Sequence, residues 1–531
     1  MPLRSPMRAA GGGLERVDGG SDRVSVEAGP PDPGRNGSRR VAAWAAAGLF
    51  GLQLAWLLVM PPATGIDEFD HVYRASSVAI GHWRPGTYEL SPTLARGAML
   101  PVRADIVEAA GPACARLPYT KPFNCRPYKD LGDGVVEVAT GVDYYNPLYY
   151  GVVGALARPF SGSAAIDVMR LVSIVECAAM FGLAVFLTTL WARSRWPLLL
   201  LLAACLPTTV YSASIATPNG VQMVSGILVW AAALAMLRVG PNGRRPAYVG
   251  LMVGVAVMAN THTLGLFWLA LIALTLMVYA GPVRVLWLAR PRSRPEVAAL
   301  GVALAAVAFQ LWWMAYAQPN TSRPEGGLPG NPWGQIAQGV IAWPLQAVAA
   351  FPYRNESAPA AVYGVALVAM IALAVFTARA LRGAGRDSLA MAVVLVLSAA
   401  VPVAITYSGF HRYGMSWQGR YGMPYSAGVF ALAGLALEDR GPALRGAFLW
   451  LGLVGWGAAE TLGITGVLAK QIKDHELVSA THWWAPPTVL VVALGALATA
   501  SWSRSVQLVE GGSPPAADEA NPRGDAVPRA R

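Results

Sequence analysis

The sequence predicts an all-α, polytopic integral membrane protein with about twelve transmembrane helices. Three observations indicate this class. Only 13% of the 531 residues are charged and 55% are hydrophobic, whereas soluble domains usually carry about 25% charged residues. Long apolar runs recur along the chain. Alternate connections between these runs are rich in arginine, a pattern typical of a chain that crosses a bilayer several times.

The apolar runs place the spans in order along the chain. The predicted spans are Val41–Met60, Leu171–Trp191, Pro197–Ala213, Val221–Leu237, Ala247–Ala259, Leu264–Ala280, Val297–Ala317, Ala360–Phe376, Leu389–Ile405, Pro424–Leu437, Ala447–Leu462 and Pro487–Trp502. Several of these runs are shorter than the ~20 residues that a bilayer needs, so we expect their flanks to be helical as well.

The distribution of charge predicts an orientation. The net charge is +11, and the arginines gather in every second connection. They are Arg193 and Arg195; Arg238, Arg244 and Arg245; Arg284, Arg290, Arg292 and Arg294; Arg379, Arg382 and Arg386; Arg440 and Arg445. The positive-inside rule places these connections in the cytoplasm, so both termini are cytoplasmic and the protein is a multi-pass protein of the plasma (inner) membrane. The chain contains no recognisable RNA- or DNA-binding module, so we expect no nucleic-acid partner.

The composition divides the chain into three parts. Residues 1–40 are rich in Gly, Pro, Arg and Ser and lack apolar periodicity, which predicts a disordered cytoplasmic tail. Residues 41–505 form the membrane domain, and residues 506–531 form a second disordered tail. Within the membrane domain, residues 61–170 are the longest extracytoplasmic segment.

Three features of the outer segments are notable. Tyr144–Phe160 is short and aromatic, and Gly334–Phe351 is apolar but contains a proline, so both could be interfacial helices. A further true span in either place would change the helix count. Cys114 and Cys125 lie in the first segment, where the compartment permits a disulfide. Their spacing alone leaves that bond open.

A dense polar cluster follows the first span. Asp67 and Glu68 are candidate catalytic carboxylates, since an acidic side chain at the membrane surface can take a proton from an acceptor hydroxyl or bind a divalent cation. His71 and Arg74 follow at about one helical turn, so they can share a face with Asp67. An arginine there could hold a phosphate. The alternative is a capping cluster at the start of a surface helix, where acidic residues favour the helix dipole.

A second cluster lies in "GFHRYGMSWQGRYGMP", residues 409–424. It supplies the candidate binding residues His411, Arg412, Gln418, Arg420 and Tyr421. Interfacial anchoring would explain Arg and Tyr at this depth. However, positive charge on the outer side opposes the topology rule, which favours a function for Gln418 and Arg420.

Further candidates lie in three short outer stretches. In "DYYNPLYY", Tyr145 could pack on a sugar ring and Asn146 could bond a hydroxyl, although an interfacial aromatic belt would look the same. Asn219 and His262, in two outer turns, could line the same pocket or be structural. Glu176 and Glu460 lie within predicted spans, where acids are costly and often functional, but they could also pair with an arginine.

Four motifs occur in a diagnostic order: "PPATGIDEFDHVYRASSVAIGHW", "YNPLYY", "LPTTVYSASIATPNG" and "WQGRYGMP". Together, over about residues 41–437, they resemble a bacterial domain-of-unknown-function family of polytopic membrane proteins. That family resembles the GT-C membrane glycosyltransferases, which take a sugar from a polyprenyl-phosphate lipid at the outer face. The resemblance implies a GT-C-like fold with a long first extracytoplasmic loop.

The resemblance also implies roles for individual residues. Asp67 or Glu68 would be the acidic residue of the first outer loop, and Arg420, with Gln418, would contact the donor phosphate or sugar. One departure concerns Asn219, which stands where the family often has an acidic residue. A role for charge at that position is therefore in doubt.

The expected function is a membrane glycosyltransferase that moves a sugar from a polyprenyl-phosphate donor to a cell-envelope glycan or lipid acceptor. Its partners would be the sugar-carrying lipid, the glycan acceptor and membrane lipid. A divalent cation could bind Asp67, Glu68 and His71, although transfer from a monophosphate lipid does not require one. A transporter or flippase of an envelope precursor, and a non-catalytic protein of envelope assembly, are the alternatives. The Ala- and Arg-rich, Lys-poor composition suggests an actinobacterium.

Overall fold

A computed structural model describes residues 35–90, 96–116, 131–317, 330–351, 356–413, 417–444, 446–473 and 487–509. The helices up to the first long gap are α1 Arg35–Val59, α2 Glu68–Ala79, α3 Ala104–Arg116, α4 Pro147–Ala157, α5 Gly162–Thr189, α6 Trp196–Ala203, α7 Pro207–Ser212, α8 Pro218–Arg238, α9 Pro241–Thr261, α10 Gly265–Ala280, α11 Pro282–Ala289 and α12 Arg294–Tyr316. The later helices are α13 Pro332–Val348, α14 Ala360–Ala380, α15 Gly385–Tyr413, a 3-10 helix Gly419–Gly422, α16 Met423–Arg440, α17 Gly446–Lys473 and α18 Pro487–Leu508.

All twelve predicted spans fall on helices. The third is broken, because α6 and α7 are separated by residues 204–206 ahead of Pro207. In the described part of the chain, eight helices are long and apolar enough to cross a membrane. The number rises to nine if α10 and α11, which meet at an angle of 119°, count as one span. The polytopic helical class is therefore confirmed, while the count of twelve stays a prediction.

The ends of the membrane domain extend beyond the predicted boundaries. Helix α1 begins at Arg35 and α18 ends at Leu508, so residues 35–40 and 506–508 of the predicted tails are helical. The remaining residues of the N-terminal tail, Cys125 and the side chain of Cys114 lie outside the described residues. The proposed disulfide is thus untested.

The basic connections meet at one end of the helix bundle. There, Arg238 pairs with Asp439, and the Arg440 Nη1 atom lies 2.7 Å from the Asp387 carboxylate. We call this the basic end. The charge pattern therefore grouped these connections correctly, and their cytoplasmic location stays a prediction.

The long segment between α1 and α5 contains a small β-sheet, which was not among the predicted elements. Strands β1 Thr87–Leu90, β2 Arg96–Arg103 and β3 Val135–Thr140 form an antiparallel sheet in the order β1-β2-β3. Leu100 and Val102 of β2 are buried, because residues two apart lie on the same face of a strand. That face packs against α2. A second pair, β4 Ala350–Phe351 and β5 Glu356–Ser357, follows α13.

Two glycines allow backbones to touch toward the end of the bundle opposite the basic end. A Cβ atom on Gly154 of α4 would lie 2.3 Å from the Ala75 carbonyl oxygen of α2. A Cβ atom on Gly226 of α8 would lie 2.6 Å from the Pro424 carbonyl oxygen of α16. Small residues permit such close crossings in membrane proteins. These contacts fix α2 and α16, which flank the polar clusters.

Candidate active site

The turn that follows α1 is tight and strained. Pro61 and Pro62 stop the helix, and Ala63 and Asp67 both adopt the left-handed conformation, with φ of 59° and 56°. Between them, a Cβ atom on Gly65 would lie 2.8 Å from the Glu68 Oε2 atom. Non-glycine residues in this conformation cost of order 1–3 kcal/mol and cluster at functional sites. The turn therefore holds Asp67 in a defined position at the start of α2.

The Asp67 carboxylate forms an ion pair with a distant arginine. The Arg420 Nη2 atom donates to Asp67 Oδ2 at 2.8 Å. The aspartate side chain is 29% exposed and that of the arginine is 3% exposed. The Arg420 Nε atom is buried and has no hydrogen-bond partner among the described residues. The pair thus combines an accessible carboxylate with a guanidinium whose donors are not all used.

A row of aromatic and imidazole rings runs from His71, one helical turn after Asp67, to Tyr421, which directly follows Arg420. The ring of His71 lies 5.6 Å from that of Tyr145, which lies 5.4 Å from His262. His262 in turn lies 5.6 Å from Tyr421, and the Arg420 guanidinium lies 5.2 Å from the Tyr421 ring. We call these four rings the aromatic wall. It brings together predicted residues from four separate stretches of sequence.

His71, His262 and Tyr145 of the aromatic wall are uncharged at neutral pH. Burial, together with the charge of Arg420, lowers the pKa of His71 to about 3, although Asp67 opposes this shift. Burial and the charge of Arg420 lower the pKa of His262 to about 4. Burial raises the pKa of Tyr145 well above its usual value. Asp67 and Arg420 are therefore set against a neutral surface.

Hydrogen bonds define the proton position on His262. The Leu264 backbone N–H donates to His262 Nδ1 at 3.1 Å, so Nδ1 is an acceptor and the proton resides on Nε2. Nε2 lies 3.3 Å from the Tyr145 hydroxyl oxygen, to which it can donate. The neutral imidazole thereby fixes the Tyr145 side chain.

Glu68 occupies a different position from its neighbour Asp67. Its carboxylate accepts from Arg170 Nε and Nη2, both at 2.7 Å, and from the backbone N–H groups of Gly65 and Ala216 at 2.9 Å. Both charged side chains are fully buried. Arg170 also donates to the carbonyl oxygens of Met60 and Pro61. Glu68 therefore joins the end of α1, α5 and the turn before α8, and four donors already surround its oxygens.

Arg74 is likewise engaged with the backbone. It donates to the carbonyl oxygens of Trp83 at 2.7 Å and Arg84 at 3.0 Å, and its side chain is buried. Burial lowers the pKa of Arg74 to about 10. These contacts hold the chain that follows α2 in place. The role of Arg74 in the structure therefore differs from the predicted contact with a phosphate.

Asn146 forms a buried amide cluster instead of facing a cavity. Its Nδ2 atom donates to Asn260 Oδ1 at 2.8 Å and Gln310 Oε1 at 2.7 Å. Its Oδ1 atom accepts from the Leu148 backbone N–H and so caps α4. The cluster ties α4 to α9 and α12 behind Tyr145.

The remaining candidates lie around the site in varied environments. Asn219 is buried in the first turn of α8, and its Oδ1 atom has no partner among the described residues. Gln418 is half-buried directly before the 3-10 helix, and His411 is exposed on α15. Arg412 lies on α15, but its side chain lies outside the described residues.

Asp70 was not among the predicted site residues, although it lies one helical turn from Asp67. Its Oδ1 atom accepts from the Thr140 hydroxyl at 2.8 Å and the Gly141 backbone N–H at 3.2 Å. Burial, with a further contribution from the charge of Asp67, raises the pKa of Asp70 to about 7. The i, i+3 spacing of Asp67 and Asp70 is visible in the sequence. The hydrogen bond from Thr140 of β3 to Asp70 could not be predicted from it.

Two further residues at the site were also missed. The Tyr150 hydroxyl lies 2.7 Å from His71 Nδ1, and Arg170 neutralises Glu68. Tyr150 belongs to the aromatic motif "DYYNPLYY" and could have been selected from it. No local pattern pairs Arg170 with Glu68, because they are 102 positions apart.

No group of three or more His, Cys, Asp or Glu side chains within the described residues is arranged to hold a metal ion. The sequence left open whether Asp67, Glu68 and His71 ligate a divalent cation. Because Glu68 faces Arg170 and not its two neighbours, these three residues do not form a cation site of this kind.

Comparison with known proteins identifies relatives of the chain. A family described as a predicted membrane protein (DUF2142) matches residues 50–429, which is more than half of the chain. No curated protein matches the chain. Among solved structures, the chain is similar to ArnT from Cupriavidus metallidurans bound to undecaprenyl phosphate. The two share 14% sequence identity, with a TM-score of 0.40 over 88% of this chain and 76% of that chain.

Proposed function

The chain belongs to the DUF2142 family of predicted membrane proteins, and from this premise we propose that it is a membrane glycosyltransferase. It would transfer a sugar from a polyprenyl-phosphate donor to an envelope glycan or lipid acceptor, at the end of the membrane domain opposite the basic end. The Asp67–Arg420 pair is the observation that carries this proposal. It places a candidate base and a candidate phosphate ligand in direct contact beside a neutral aromatic wall.

Arg420 is the proposed ligand of the donor phosphate. Its Nε–H group is buried and has no partner among the described residues, and an unpaired buried donor is costly unless a ligand fills it. The 3-10 helix that carries Arg420 packs against α8. No side chain caps the first turn of α8, and free N–H groups at a helix N-terminus favour anions. Asn219 lies in that same turn, and its Oδ1 atom, which no described residue bonds, would accept from a hydroxyl group of the donor rather than bind its phosphate.

The aromatic wall is the proposed surface for the sugar. Tyr145 and Tyr421 present ring faces and hydroxyl groups, the combination that packs on a sugar and bonds its hydroxyls. Because His71 and His262 are neutral, Arg420 supplies the positive charge beside the aromatic wall. An anionic donor would therefore be drawn to Arg420 and not to the histidines.

Helix α13 is the proposed platform for the lipid tail. The Gly419 backbone N–H donates to the Gln346 side chain at 2.9 Å, so the 3-10 helix with Arg420 rests on α13. The opposite face of α13 exposes Val340, Leu345 and Ile341, the last being 72% exposed. An amphipathic helix of this kind lies along the membrane interface, where it would place a prenyl chain next to Arg420.

The proposed reaction uses Asp67 as general base. The acceptor hydroxyl loses its proton to the Asp67 carboxylate while its oxygen bonds to the sugar C1 atom. The bond between C1 and the phosphate oxygen breaks, and the polyprenyl phosphate leaves with that electron pair. Arg420 stabilises the negative charge that develops on the phosphate. Because the Arg420 guanidinium contacts Asp67, the carboxylate is held next to the proposed phosphate position.

Three of the other candidates have structural roles in this proposal. Glu68 and Arg170 fix the turn that carries Asp67, Arg74 holds the chain after α2, and Asn146 supports Tyr145 from behind. We therefore assign the base to Asp67 rather than to Glu68, whose oxygens already accept four hydrogen bonds.

The experiment that tests the proposal follows donor cleavage directly. Purified protein in detergent is incubated with a panel of labelled polyprenyl-phosphate sugars and a mixture of envelope glycans, and the released polyprenyl phosphate is measured. We expect release from one donor and transfer of its label to an acceptor. Folded protein that releases lipid phosphate from no donor of the panel would contradict the assignment.

A transporter or flippase is the second candidate, because of one feature in the membrane domain. Glu460 of α17 is 1% exposed, and both its carboxylate oxygens lack partners among the described residues. The third span is broken between α6 and α7, and broken helices with buried acids occur at transporter sites. Flipping of a labelled lipid in proteoliposomes that Glu460→Gln abolishes, without sugar transfer, would favour this candidate.

A further inference from the structure

A groove of about 600 Å³ runs along the lipid-facing surface between α17 and α18. Small residues form its floor, among them Gly457 and Ala458 of α17 and Gly495 and Ala496 of α18. The two helices are in close contact there, since a Cβ atom on Gly495 would lie 2.2 Å from the Thr461 hydroxyl oxygen. The groove lies on elements that the proposed glycosyl transfer does not use.

One end of the groove is polar. It is lined there by Ser503, Arg504 and Gln507, and Arg504 and Gln507 are exposed. This end lies near the basic end of the bundle, because Arg195 Nε donates to the Val509 carbonyl oxygen just after α18. Among the described residues, Arg504 forms no ion pair. The groove therefore opens toward a headgroup region with an uncompensated positive charge.

The Ser503 hydroxyl supplies a donor at this end of the groove that is unpaired within the described part of the chain. The neighbouring hydroxyls of α18 are all satisfied: Thr499 donates to Gly495, Ser501 to Leu497 and Ser505 to Val41. Ser503 is 3% exposed, and its hydroxyl has no partner among the described residues. Hydroxyls in membrane helices normally bond the backbone of the preceding turn. Because Ser503 also lines the groove, its hydroxyl is a donor available to a ligand bound there.

The length of the groove selects the kind of lipid. From Ser503 to Val492, which lines the far end, α18 rises by about 16 Å at ~1.5 Å per residue. This is close to the ~15 Å of one leaflet, half of a ~30 Å hydrocarbon core. A single acyl chain of one leaflet fits that length, whereas a polyprenyl chain would extend beyond it.

From these observations we propose that the groove is a specific binding site for an anionic glycerophospholipid. The phosphate binds Arg504 and Gln507, and an ester carbonyl oxygen accepts from Ser503. One acyl chain lies along the glycine and alanine residues. The site would join α17 and α18 at the basic end, independently of the reaction at the opposite end.

Native mass spectrometry of the purified full-length protein tests the proposal, with phosphatidylglycerol and phosphatidylcholine of identical chains as probes. We expect one phosphatidylglycerol to be retained where phosphatidylcholine is not. Arg504→Gln removes a charge-assisted bond and should lower retention about tenfold. Ala500→Leu fills the groove and should do the same. The matched controls are Arg245→Gln, which removes another exposed charge, and Ala493→Leu on an exposed position of α18 outside the groove.

Three results would overturn the proposal. Equal retention of the two lipids would show that charge does not select the occupant. Equal retention by Arg504→Gln and Arg245→Gln, or by Ala500→Leu and Ala493→Leu, would place the lipid elsewhere. Displacement of the bound phosphatidylglycerol by equimolar undecaprenyl phosphate would show that the occupant is not limited to one leaflet.

Discussion

The Arg420 Nη2 atom donates to the Asp67 carboxylate at 2.8 Å across 353 positions of sequence. Asp67 adopts the left-handed conformation and follows two consecutive prolines and a short turn. The arginine stands on a 3-10 helix that α13 supports. The two motifs that identify the family in the sequence thus meet in a single ion pair, on which the proposed chemistry depends.

Replacement of Asp67 by asparagine should abolish transfer while the fold is kept. The amide cannot take a proton, and loss of a general base typically costs about 100-fold to 10,000-fold in rate. The measurement is the release of polyprenyl phosphate, with thermal unfolding recorded on the same samples. Asp133→Asn is the matched control, because Asp133 is exposed in the same outer segment. Full activity of Asp67→Asn would exclude Asp67 as the base.

Replacement of Arg420 by lysine should weaken donor binding even though the charge is kept. Lysine has no planar fork and cannot fill both the Asp67 contact and the position of the orphaned Nε–H group. We expect kcat/KM to fall about 10- to 100-fold, the range for a lost charge-assisted hydrogen bond. Arg84→Gln removes an exposed positive charge near Trp83 and should leave kcat/KM unchanged. Equal losses in both variants would indicate a general charge effect.

Glu68→Gln should destabilise the protein more than any surface charge change. It leaves the Arg170 guanidinium buried without its carboxylate, and breaking a buried pair costs about 3–5 kcal/mol. Asp387→Asn disrupts the more exposed pair with Arg440, which should cost about 0–1 kcal/mol. Thermal unfolding in detergent measures both changes.

A double variant separates this effect from catalysis. Glu68→Leu with Arg170→Met removes both charges, so it should be more stable than Glu68→Leu alone. If the double variant were less stable than either single variant, the pair would not be the cause. Activity that returns with stability would agree with a structural role for Glu68.

Asp70→Asn should flatten the pH dependence of stability between about pH 4 and pH 7. In the folded protein the pKa of Asp70 is raised to about 7, whereas in the unfolded chain it is about 4. Between these values the folded state binds more protons, so Asp70 makes the protein lose stability as pH rises through this window. The asparagine variant lacks this loss. The melting temperatures of wild type and Asp70→Asn, measured from pH 4 to pH 8, check this prediction, with Asp133→Asn as the control. Parallel curves for wild type and Asp70→Asn would refute it.

The sequence predicted the helices because the membrane imposes a simple rule on composition. A span needs a long apolar run, and each such run in the chain became a helix. The arginines that the topology rule groups were also found together at the basic end. The strands β1 to β3 escaped prediction, because short segments with partly buried faces give weak patterns.

The structure shows which of the predicted site residues lie near one another, while their role in a site stays a prediction. Asp67, His71, Tyr145, His262, Arg420 and Tyr421 do lie together. Glu68, however, differs from Asp67 by one position and faces the opposite way, toward Arg170. Residues that neighbour each other at the start of a helix point to different sides. Without the partner elements, the sequence could not tell which of the two acids remained accessible.

The sequence by itself determined the membrane class, the positions of the apolar helices and the motifs rich in polar side chains. These depend on local composition, because apolar segments partition into lipid and polar segments into water. The tertiary structure decided which charges are paired, which imidazoles are neutral and which carboxylate is exposed. Those properties arise from contacts between residues that are up to 353 positions apart, and from burial that only the packed helices create.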